Sequence, residues 1–180
     1  MKATGIVRRI DDLGRVVIPK EIRRTMRIRE GDPLEIYTDR EGEVIFKKYS
    51  PIGELTAFAS QYAETIYKTC QLAVVICDRD AVIACAGIPK KEYTDRKLSA
   101  EIEQIMEKRS FFTCSDDDSP SVIDGGEGKI SCAMPIIAEG DVAGLVASVF
   151  VKDKDSTIAA DVEAKLIQTA AGFLGRQLES

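Results

Sequence analysis

The strongest candidates for a chemical role in this 180-residue chain are four basic residues, Lys20, Arg23, Arg24 and Arg27. Their i, i+3, i+4 and i+7 spacing predicts that all four side chains project from one face of a helix. Like charges at these spacings repel one another, and a solvated helix face normally intersperses acidic residues among them. The stripe therefore predicts a polyanionic partner. The alternative is a chance clustering of charges on a solvated face.

The charge of the chain is divided unevenly along the sequence. Residues 1–29 contain nine basic and three acidic residues, a local charge of +6, although the whole chain carries −5. The other 151 residues must then carry −11. A basic N-terminal segment (the basic head) followed by an acidic remainder is typical of a polyanion-binding module joined to a second domain.

The composition of the basic head narrows the kind of polyanion. Residues 1–50 contain no Asn and no Gln, the side chains that read adenine bidentately. They also contain no aromatic residue before Tyr37, which disfavours recognition of RNA by base stacking. Of the side chains that commonly recognise nucleic acids, arginine remains, and its guanidinium group binds phosphates and the edges of guanine bases. We therefore expect double-stranded DNA, held largely through its backbone and groove shape, with a broad sequence preference.

Most catalytic and metal-binding chemistries lack their residues in this chain. Without histidine there is no imidazole base, no Ser-His-Asp triad and no His-ligated zinc. The five cysteines include no C-x-x-C pair, so neither zinc nor a disulfide framework is expected. We expect no catalytic residue, no metal and no cofactor, and a location in the reducing cytoplasm. The cysteines are Cys70, Cys77, Cys85, Cys114 and Cys132.

The first fifty residues predict a ββαββ unit. Strands are expected over residues 5–10, 15–18, 34–37 and 43–48, with a short helix that begins at Pro19. A unit of this size buries too little apolar surface to be stable alone, and it has no cysteine or histidine for a disulfide or a metal. We therefore expect an obligate dimer whose subunits share one core.

The remainder predicts an α+β fold, an antiparallel sheet flanked by helices. Ser50 is the expected N-cap of a helix with an apolar seam at Ile52, Leu55, Ala59, Tyr62 and Ile66. Hairpins are predicted over residues 72–86 and 130–151, a helix over 99–108 and a polar loop over 115–129. Gly125 to Lys129 are not a phosphate-binding loop, since Ile130 stands where that motif needs Ser or Thr. A last helix over residues 156–178 is predicted to bury Val162, Leu166, Ala170 and Phe173.

Three segments of the basic head, residues 4–25, 31–36 and 44–49, resemble the AbrB-type transition-state regulator domain. The most specific stretch runs from Gly5-Ile6-Val7-Arg8-Arg9 through Gly14-Arg15-Val16-Val17-Ile18-Pro19 to Glu21-Ile22-Arg23-Arg24. The resemblance implies a swapped-hairpin β-barrel dimer over residues 1–50. It also implies DNA contacts by Arg8, Arg15, Arg23 and Arg24. We hold Arg9, Lys20 and Arg27 as secondary contacts, because no firm family role matches the last two.

Residues 51–180 resemble a GAF-like sensor domain, most visibly in residues 135–137, Gly140, Gly144, Leu145 and Ser148. The two domains in this order resemble a family of sporulation regulators. That resemblance implies an activator or repressor of genes in the developing spore and a tetramer of paired dimers, assembled through residues 51–180. It leaves open an unknown small-molecule ligand. No apolar stretch approaches the ~20 residues that span a membrane, so we expect no membrane partner.

Two other functions stay open from the sequence. A MazE-like antitoxin uses a similar N-terminal fold to bind DNA, but it normally ends in a short disordered tail, whereas some 130 folded-looking residues follow here. A cysteine-based redox enzyme can be built on a GAF-like fold. No C-x-x-C pair and no neighbouring histidine supports that chemistry here.

Overall fold

The computed structural model describes residues 5–114, 119–151 and 158–180, and the chain divides between Tyr49 and Ser50 into two compact units. The N-terminal unit contains helix α1 (Lys20–Thr25) and an antiparallel hairpin of β1 (Leu34–Thr38) and β2 (Val44–Lys48). The Asp39 carboxylate accepts backbone hydrogen bonds from Glu41 and Glu43 and so forms the turn of this hairpin.

The expected strands over residues 5–10 and 15–18 are not strands in the single chain. The turn between them forms as predicted. The Asp11 backbone N–H donates to the Arg15 carbonyl at 3.1 Å, and Gly14 adopts a φ of 75°. An extended segment becomes a strand only where a neighbouring strand pairs with its backbone groups, and the described residues of one chain do not supply that neighbour.

The C-terminal unit is a five-stranded antiparallel sheet between two layers of helices, and it confirms the predicted α+β class. The strands lie in the order β4-β3-β7-β6-β5. The strands are β3 (Val74–Cys77), β4 (Val82–Ala86), β5 (Phe112–Thr113), β6 (Ile130–Ala138) and β7 (Asp141–Val149). The helices are α2 (Pro51–Glu54), α3 (Thr56–Cys70), α4 (Lys90–Tyr93), α5 (Ala100–Glu107) and α6 (Ala160–Leu178).

Each face of this sheet has its own apolar core. Helices α3 and α6 cover one face around Ile76, Ile136 and Ile167, and α5 covers the other around Ile102 and Leu145. The strands β3 and β7 are buried almost throughout, as expected for the centre of a sheet covered on both faces. This unit therefore has the core that the N-terminal unit lacks.

Two details of the helices differ from the sequence expectation. The predicted seam that begins at Ile52 is split, because Ile52 lies on the separate helix α2, capped by the Ser50 side chain as predicted. On α6 the predicted stripe is only half right: Ala170 is buried and Leu166 packs against the core, but Val162 and Phe173 are 43% and 39% exposed. Ile167 and Leu174 complete the buried face instead. Residues 115–118 and the expected start of the last helix at residue 156 lie outside the described residues.

Small residues decide which face of α6 meets the sheet. Gly175 lies so close to β6 that a Cβ atom there would stand 2.3 Å from the Ile137 carbonyl oxygen. Two apolar stripes compete for burial on this helix, and the stripe that contains Ala171 and Gly175 lets the helix axis come nearest to the strand. Hydrophobicity alone does not distinguish the two stripes.

We predict opposite effects for two glycine-to-alanine substitutions on α6. Gly175→Ala should destabilise the C-terminal unit by about 1–3 kcal/mol, because the new methyl group overlaps the Ile137 carbonyl. The matched control, Gly172→Ala, adds its methyl group in open space and should stabilise the helix by up to about 1 kcal/mol. Urea unfolding measures both, and equal effects would contradict the close approach of α6 to β6.

Candidate nucleic-acid interface

The basic helix α1 is a short, fully solvated element. It follows Pro19, which is buried and holds a φ of −57°, close to the value that a helix needs. Lys20, Arg23 and Arg24 are all exposed, and no residue of α1 is buried within the single chain. The helix therefore brings three of the predicted side chains together on one surface.

The helix ends before Arg27, so the prediction that Arg27 continues the stripe is wrong. The Ile28 N–H donates to the Arg23 carbonyl at 2.8 Å, and the Arg27 N–H donates to the Arg24 carbonyl at 3.3 Å. This pair of bonds is a Schellman motif, which requires a left-handed residue after the C-cap. Arg27 occupies that position with a φ of 51°, a conformation that glycine adopts without strain.

A lysine of the β1–β2 hairpin also holds the backbone carbonyl of Arg27 in place. The Lys48 ammonium donates to it at 3.1 Å and lies 3.9 Å from the Asp32 carboxylate. Arg27 is half-buried rather than exposed. Its direction is therefore set by the helix end and not by the helix face, and a role in binding stays a prediction.

Arg15 is oriented by the turn that precedes it. Its Nε lies 2.8 Å from an Asp11 carboxylate oxygen, and its backbone N–H donates to the other oxygen at 2.8 Å. These two hydrogen bonds from Arg15 hold the pKa of Asp11 below its usual value. The pair fixes the base of the arginine side chain and lowers the entropy that Arg15 loses when it binds a phosphate.

Arg8 and Arg9 lie on the extended segment before this turn, and both are exposed. Adjacent residues of an extended chain point to opposite sides, so only one of the two can face the same surface. The sequence resemblance favours Arg8. The structure thus brings Lys20, Arg23 and Arg24 together on α1. It places Arg8 and Arg9 before the Asp11–Arg15 turn and Arg15 at its end.

The N-terminal unit exposes an unusual amount of apolar surface. Among residues 5–49, Pro19 alone is buried, whereas Val7 is 90% exposed. A soluble unit of this size does not leave so many large apolar side chains in water unless another surface covers them. The exposed side chains are Ile6, Val7, Ile10, Leu13, Val16, Val17, Met26, Ile36, Tyr37, Val44, Ile45, Phe46 and Tyr49.

Three of the five cysteines lack the features of reactive thiols. Cys77, Cys85 and Cys132 are buried, and burial raises the pKa of all three, that of Cys132 to about 11. A nucleophilic cysteine needs the opposite shift, since the thiolate is the reactive form. No group of His, Cys, Asp and Glu side chains suited to a metal occurs among the described residues. No helix in the described ranges is long and apolar enough to cross a membrane.

Sequence reasoning missed an open polar depression of about 450 Å³ in the C-terminal unit. The depression lies between the start of α5 and the loop after β5, and its lining includes Ser99, Glu101, Asp124 and Lys129. The sequence contained only one signal for it, the polar and glycine-rich composition of residues 119–129. That composition predicts a loop equally well.

Comparison with known proteins identifies both units. The family described as stage V sporulation protein T C-terminal, transcription factor, matches residues 54–179. The family described as antidote-toxin recognition MazE, bacterial antitoxin, matches residues 7–53. The N-terminal unit is also 65% identical over 51 residues to the transition state regulatory protein AbrB of Bacillus subtilis, covering 28% of this chain and 52% of that protein.

The C-terminal unit has the fold of a GAF domain. It is similar to the GAF domain of an Acinetobacter phosphoenolpyruvate-protein phosphotransferase, with a TM-score of 0.51 and 12% identity over 69% of this chain and 81% of that one. At this identity the likeness concerns the fold alone.

The whole chain aligns with a protein of the same two-part organisation. It is 54% identical to stage V sporulation protein T of Bacillus subtilis, over 99% of both chains. Together with the match over residues 54–179, this alignment confirms the resemblance seen in the sequence. The chain belongs to the stage V sporulation protein T family of transcription factors.

Proposed function

We propose that this transcriptional regulator holds double-stranded DNA through the exposed basic surface of its N-terminal unit. The observation that carries the proposal is the exposed basic surface of helix α1, which presents Lys20, Arg23 and Arg24, with Glu21 as the one acidic residue of the helix. Double-stranded DNA supplies the phosphates that would balance these charges. The proposed primary contacts are Arg8, Arg15, Arg23 and Arg24, and the secondary contacts are Arg9, Lys20 and Arg27.

The binding is proposed to tolerate sequence changes in the DNA. Phosphate contacts carry no sequence information, and residues 1–50 lack the amides that read adenine. Such a protein distinguishes sites mainly by groove shape and deformability. Its affinity should therefore depend steeply on salt and only weakly on single base changes.

The N-terminal unit is proposed to work as a dimer. Its exposed apolar side chains and the unpaired extended segments at residues 5–10 and 15–18 support pairing with the same segments of a second copy. Such pairing would complete the strands and bury the apolar surface in one step. Residues 1–50 then form the DNA-binding and dimerisation domain.

The C-terminal unit, residues 51–180, is proposed to join dimers into a tetramer. Phe58, Tyr62 and Phe173 stack on the outer face of α3 and α6, with ring centroids 5.6–6.3 Å apart. This cluster is partly exposed, and its aromatic side chains are of the type that forms the centre of protein interfaces. A second copy of the same face is the proposed occupant.

We propose no enzymatic activity: the chain has no histidine to act as a base, and burial raises the pKa of Cys77, Cys85 and Cys132, so these three thiols are poor nucleophiles. The antitoxin alternative is not favoured, since residues 54–179 match the sporulation family and form a folded unit rather than a short disordered tail. The proposed setting is the cytoplasm of a developing spore. There the C-terminal unit could also sense a small molecule.

We predict that Arg23→Ala and Arg24→Ala each weaken binding across many DNA sequences. The loss of a phosphate contact should reduce the salt slope, log K against log [salt], by about one unit per contact. The exposed Lys108 of the C-terminal unit provides a control, Lys108→Ala, that should change neither quantity. Filter binding at several salt concentrations measures both. Unchanged affinity and slope in the double variant would refute the assignment of α1.

We predict that two substitutions of Arg27 separate its charge from its backbone strain. Arg27→Gly should raise the stability of the N-terminal unit by up to about 1 kcal/mol, since glycine adopts a φ of 51° without a Cβ penalty. Arg27→Ala removes the same charge but keeps the strain. Thermal unfolding at one fixed protein concentration compares their stabilities. If Arg27 contacts DNA, both variants lose affinity equally; an Arg27→Ala protein as stable as Arg27→Gly would contradict the helix-end geometry.

We predict that Phe173→Asp converts a tetramer to a dimer, because a carboxylate cannot be buried against the stacked rings. Phe150 is equally solvated, 37% exposed against 39%, and lies outside the cluster, so Phe150→Asp is the matched control. Analytical ultracentrifugation of the full chain gives the masses. A monomer in the Phe173 variant would contradict dimerisation by the N-terminal unit, and an intact tetramer would contradict the aromatic interface.

A further inference from the structure

Helix α1 lacks the packing that normally fixes a helix in place. It has six residues, and none of them is buried within the single chain. A helix this short is marginal on its own in water, so its direction depends on the contacts that hold its two ends. Within residues 5–49 the buried Pro19 lies at its start, and a lysine of the β1–β2 hairpin reaches the backbone just after its end.

One peptide group joins the hairpin to the end of α1. Its carbonyl, that of Arg27, accepts a hydrogen bond from the Lys48 ammonium at 3.1 Å. Its N–H, that of Ile28, donates to the Arg23 carbonyl at 2.8 Å. Because a peptide group is planar and rigid, a hydrogen bond on one side of it orients the hydrogen bond on the other side. The Lys48 ammonium is therefore linked to the backbone of Arg23 through a single rigid unit.

A buried carboxylate holds the Lys48 ammonium at this position. The Asp32 side chain is 3% exposed, and the Lys48 side chain is 25% exposed. One carboxylate oxygen of Asp32 lies 3.9 Å from Lys48 Nζ and also accepts from the Arg29 N–H at 2.8 Å. Opposite charges that are shielded from water attract each other more strongly than a pair on the surface. Asp32 is itself fixed to the chain just after α1, so it keeps the ammonium beside the end of the helix.

The neighbouring lysine on the same strand has different surroundings. Lys47 and Lys48 are adjacent on β2, so their side chains point to opposite faces of the hairpin. Lys47 is exposed, with its ammonium 6.0 Å from the centre of the Tyr37 ring. The Lys48 ammonium instead lies against backbone and carboxylate oxygens of its own chain. Its position indicates a role inside the N-terminal unit rather than a contact to phosphate.

We propose that Lys48, held by Asp32, is a positioning residue for DNA binding, which orients Arg23 and Arg24 on α1 and does not itself contact the DNA. The proposal rests on the DNA-binding function proposed above, and it explains how a helix without buried residues presents its arginines in a fixed direction. Side chains that are already oriented lose less entropy when they bind, so this ion pair raises the affinity without adding a contact to DNA.

The first test compares two variants of the full chain that differ in net charge. Lys48→Met keeps an unbranched apolar side chain at this position and removes the donor to the Arg27 carbonyl. Asp32→Asn combined with Lys48→Met removes the same donor, but it leaves the net charge unchanged and no unpaired carboxylate behind. Both variants should bind DNA about fivefold or more weakly than the unaltered chain. Undiminished affinity in the charge-neutral double variant would overturn the proposal.

A double-variant cycle separates positioning from direct contact and from loss of stability. In a chain that already carries Arg23→Ala and Arg24→Ala, the loss of Lys48 should cost no further affinity, because α1 then has no arginine to orient. The cycle is measured at low salt, where the weakened arginine variant still binds. A phosphate contact by Lys48 itself, or a general loss of folded protein, would lower the affinity by the same factor in both backgrounds. Equal factors would therefore overturn the proposal.

Lys47→Met is the matched control, because it removes one positive charge from the same strand on the opposite face. Its effect should be the same factor with and without the arginines of α1. A Lys47 effect that also disappears without those arginines would overturn the assignment to Lys48. Circular dichroism at the concentration of the binding assay checks that each variant is folded. If Lys48→Met alone is unfolded, the charge-neutral double variant serves in both tests.

Failure of this proposal differs from failure of the proposed function. If the unaltered chain does not bind DNA, or if Arg23→Ala and Arg24→Ala leave its affinity unchanged, the proposed function of α1 is refuted. If the arginine variants weaken binding but Lys48→Met acts independently of them, the function stands and Lys48 is not a positioning residue.

Discussion

The organisation of the molecule depends on a shortage of buried apolar surface in its DNA-binding unit. One proline is the only buried residue among residues 5–49, while thirteen large apolar side chains remain in water. The hydrophobic effect supplies most of the free energy of folding, so this unit gains its stability only when another surface covers those side chains. Under the proposed dimerisation, the arginines of α1 and of the preceding turn are held only as firmly as the association of the two copies holds them. The proposal thus links folding, assembly and DNA binding through one contact surface.

The C-terminal unit, in contrast to the N-terminal unit, contains its own apolar core. Its sheet has a complete core on each face, and glycines allow helix and strand to approach closely where Gly175 meets Ile137. Residues 51–180 contain 13 basic and 21 acidic residues, a net charge of −8, so this unit is repelled by the duplex within about a Debye length of ~8 Å. A self-sufficient acidic unit is suited to assembly and sensing. Any influence of this unit on DNA binding would have to pass through the chain connection at Ser50.

Local signals predicted the elements well and their faces less well. Pro19 and Ser50 mark helix starts by fixed chemistry, a preset φ and a capping hydroxyl, so the sequence was enough to place them. The end of α1 was missed because Arg27 occupies a left-handed position normally taken by glycine, and an arginine gives no such signal. The buried face of α6 was only half predicted, because Ile167 and Phe173 lie on two competing apolar stripes, and backbone proximity chose between them. The strands expected at residues 5–10 and 15–18 are absent from the single chain, because a strand there would need a neighbour that the described residues do not supply.

The proposed assembly would let an acidic domain influence which DNA is bound without a contact of its own to the duplex. Arginine contacts to phosphates supply affinity without sequence information. A single dimer of N-terminal units would therefore discriminate poorly among DNA sites. Linking two dimers makes the second binding event intramolecular, with an effective concentration set by the geometry of the link. Sites at the matching spacing then gain affinity without any new contact. If residues 51–180 join dimers as proposed, selectivity lies in the distance between the two DNA-binding dimers, and a change in that assembly would change the selectivity without any contact to the duplex.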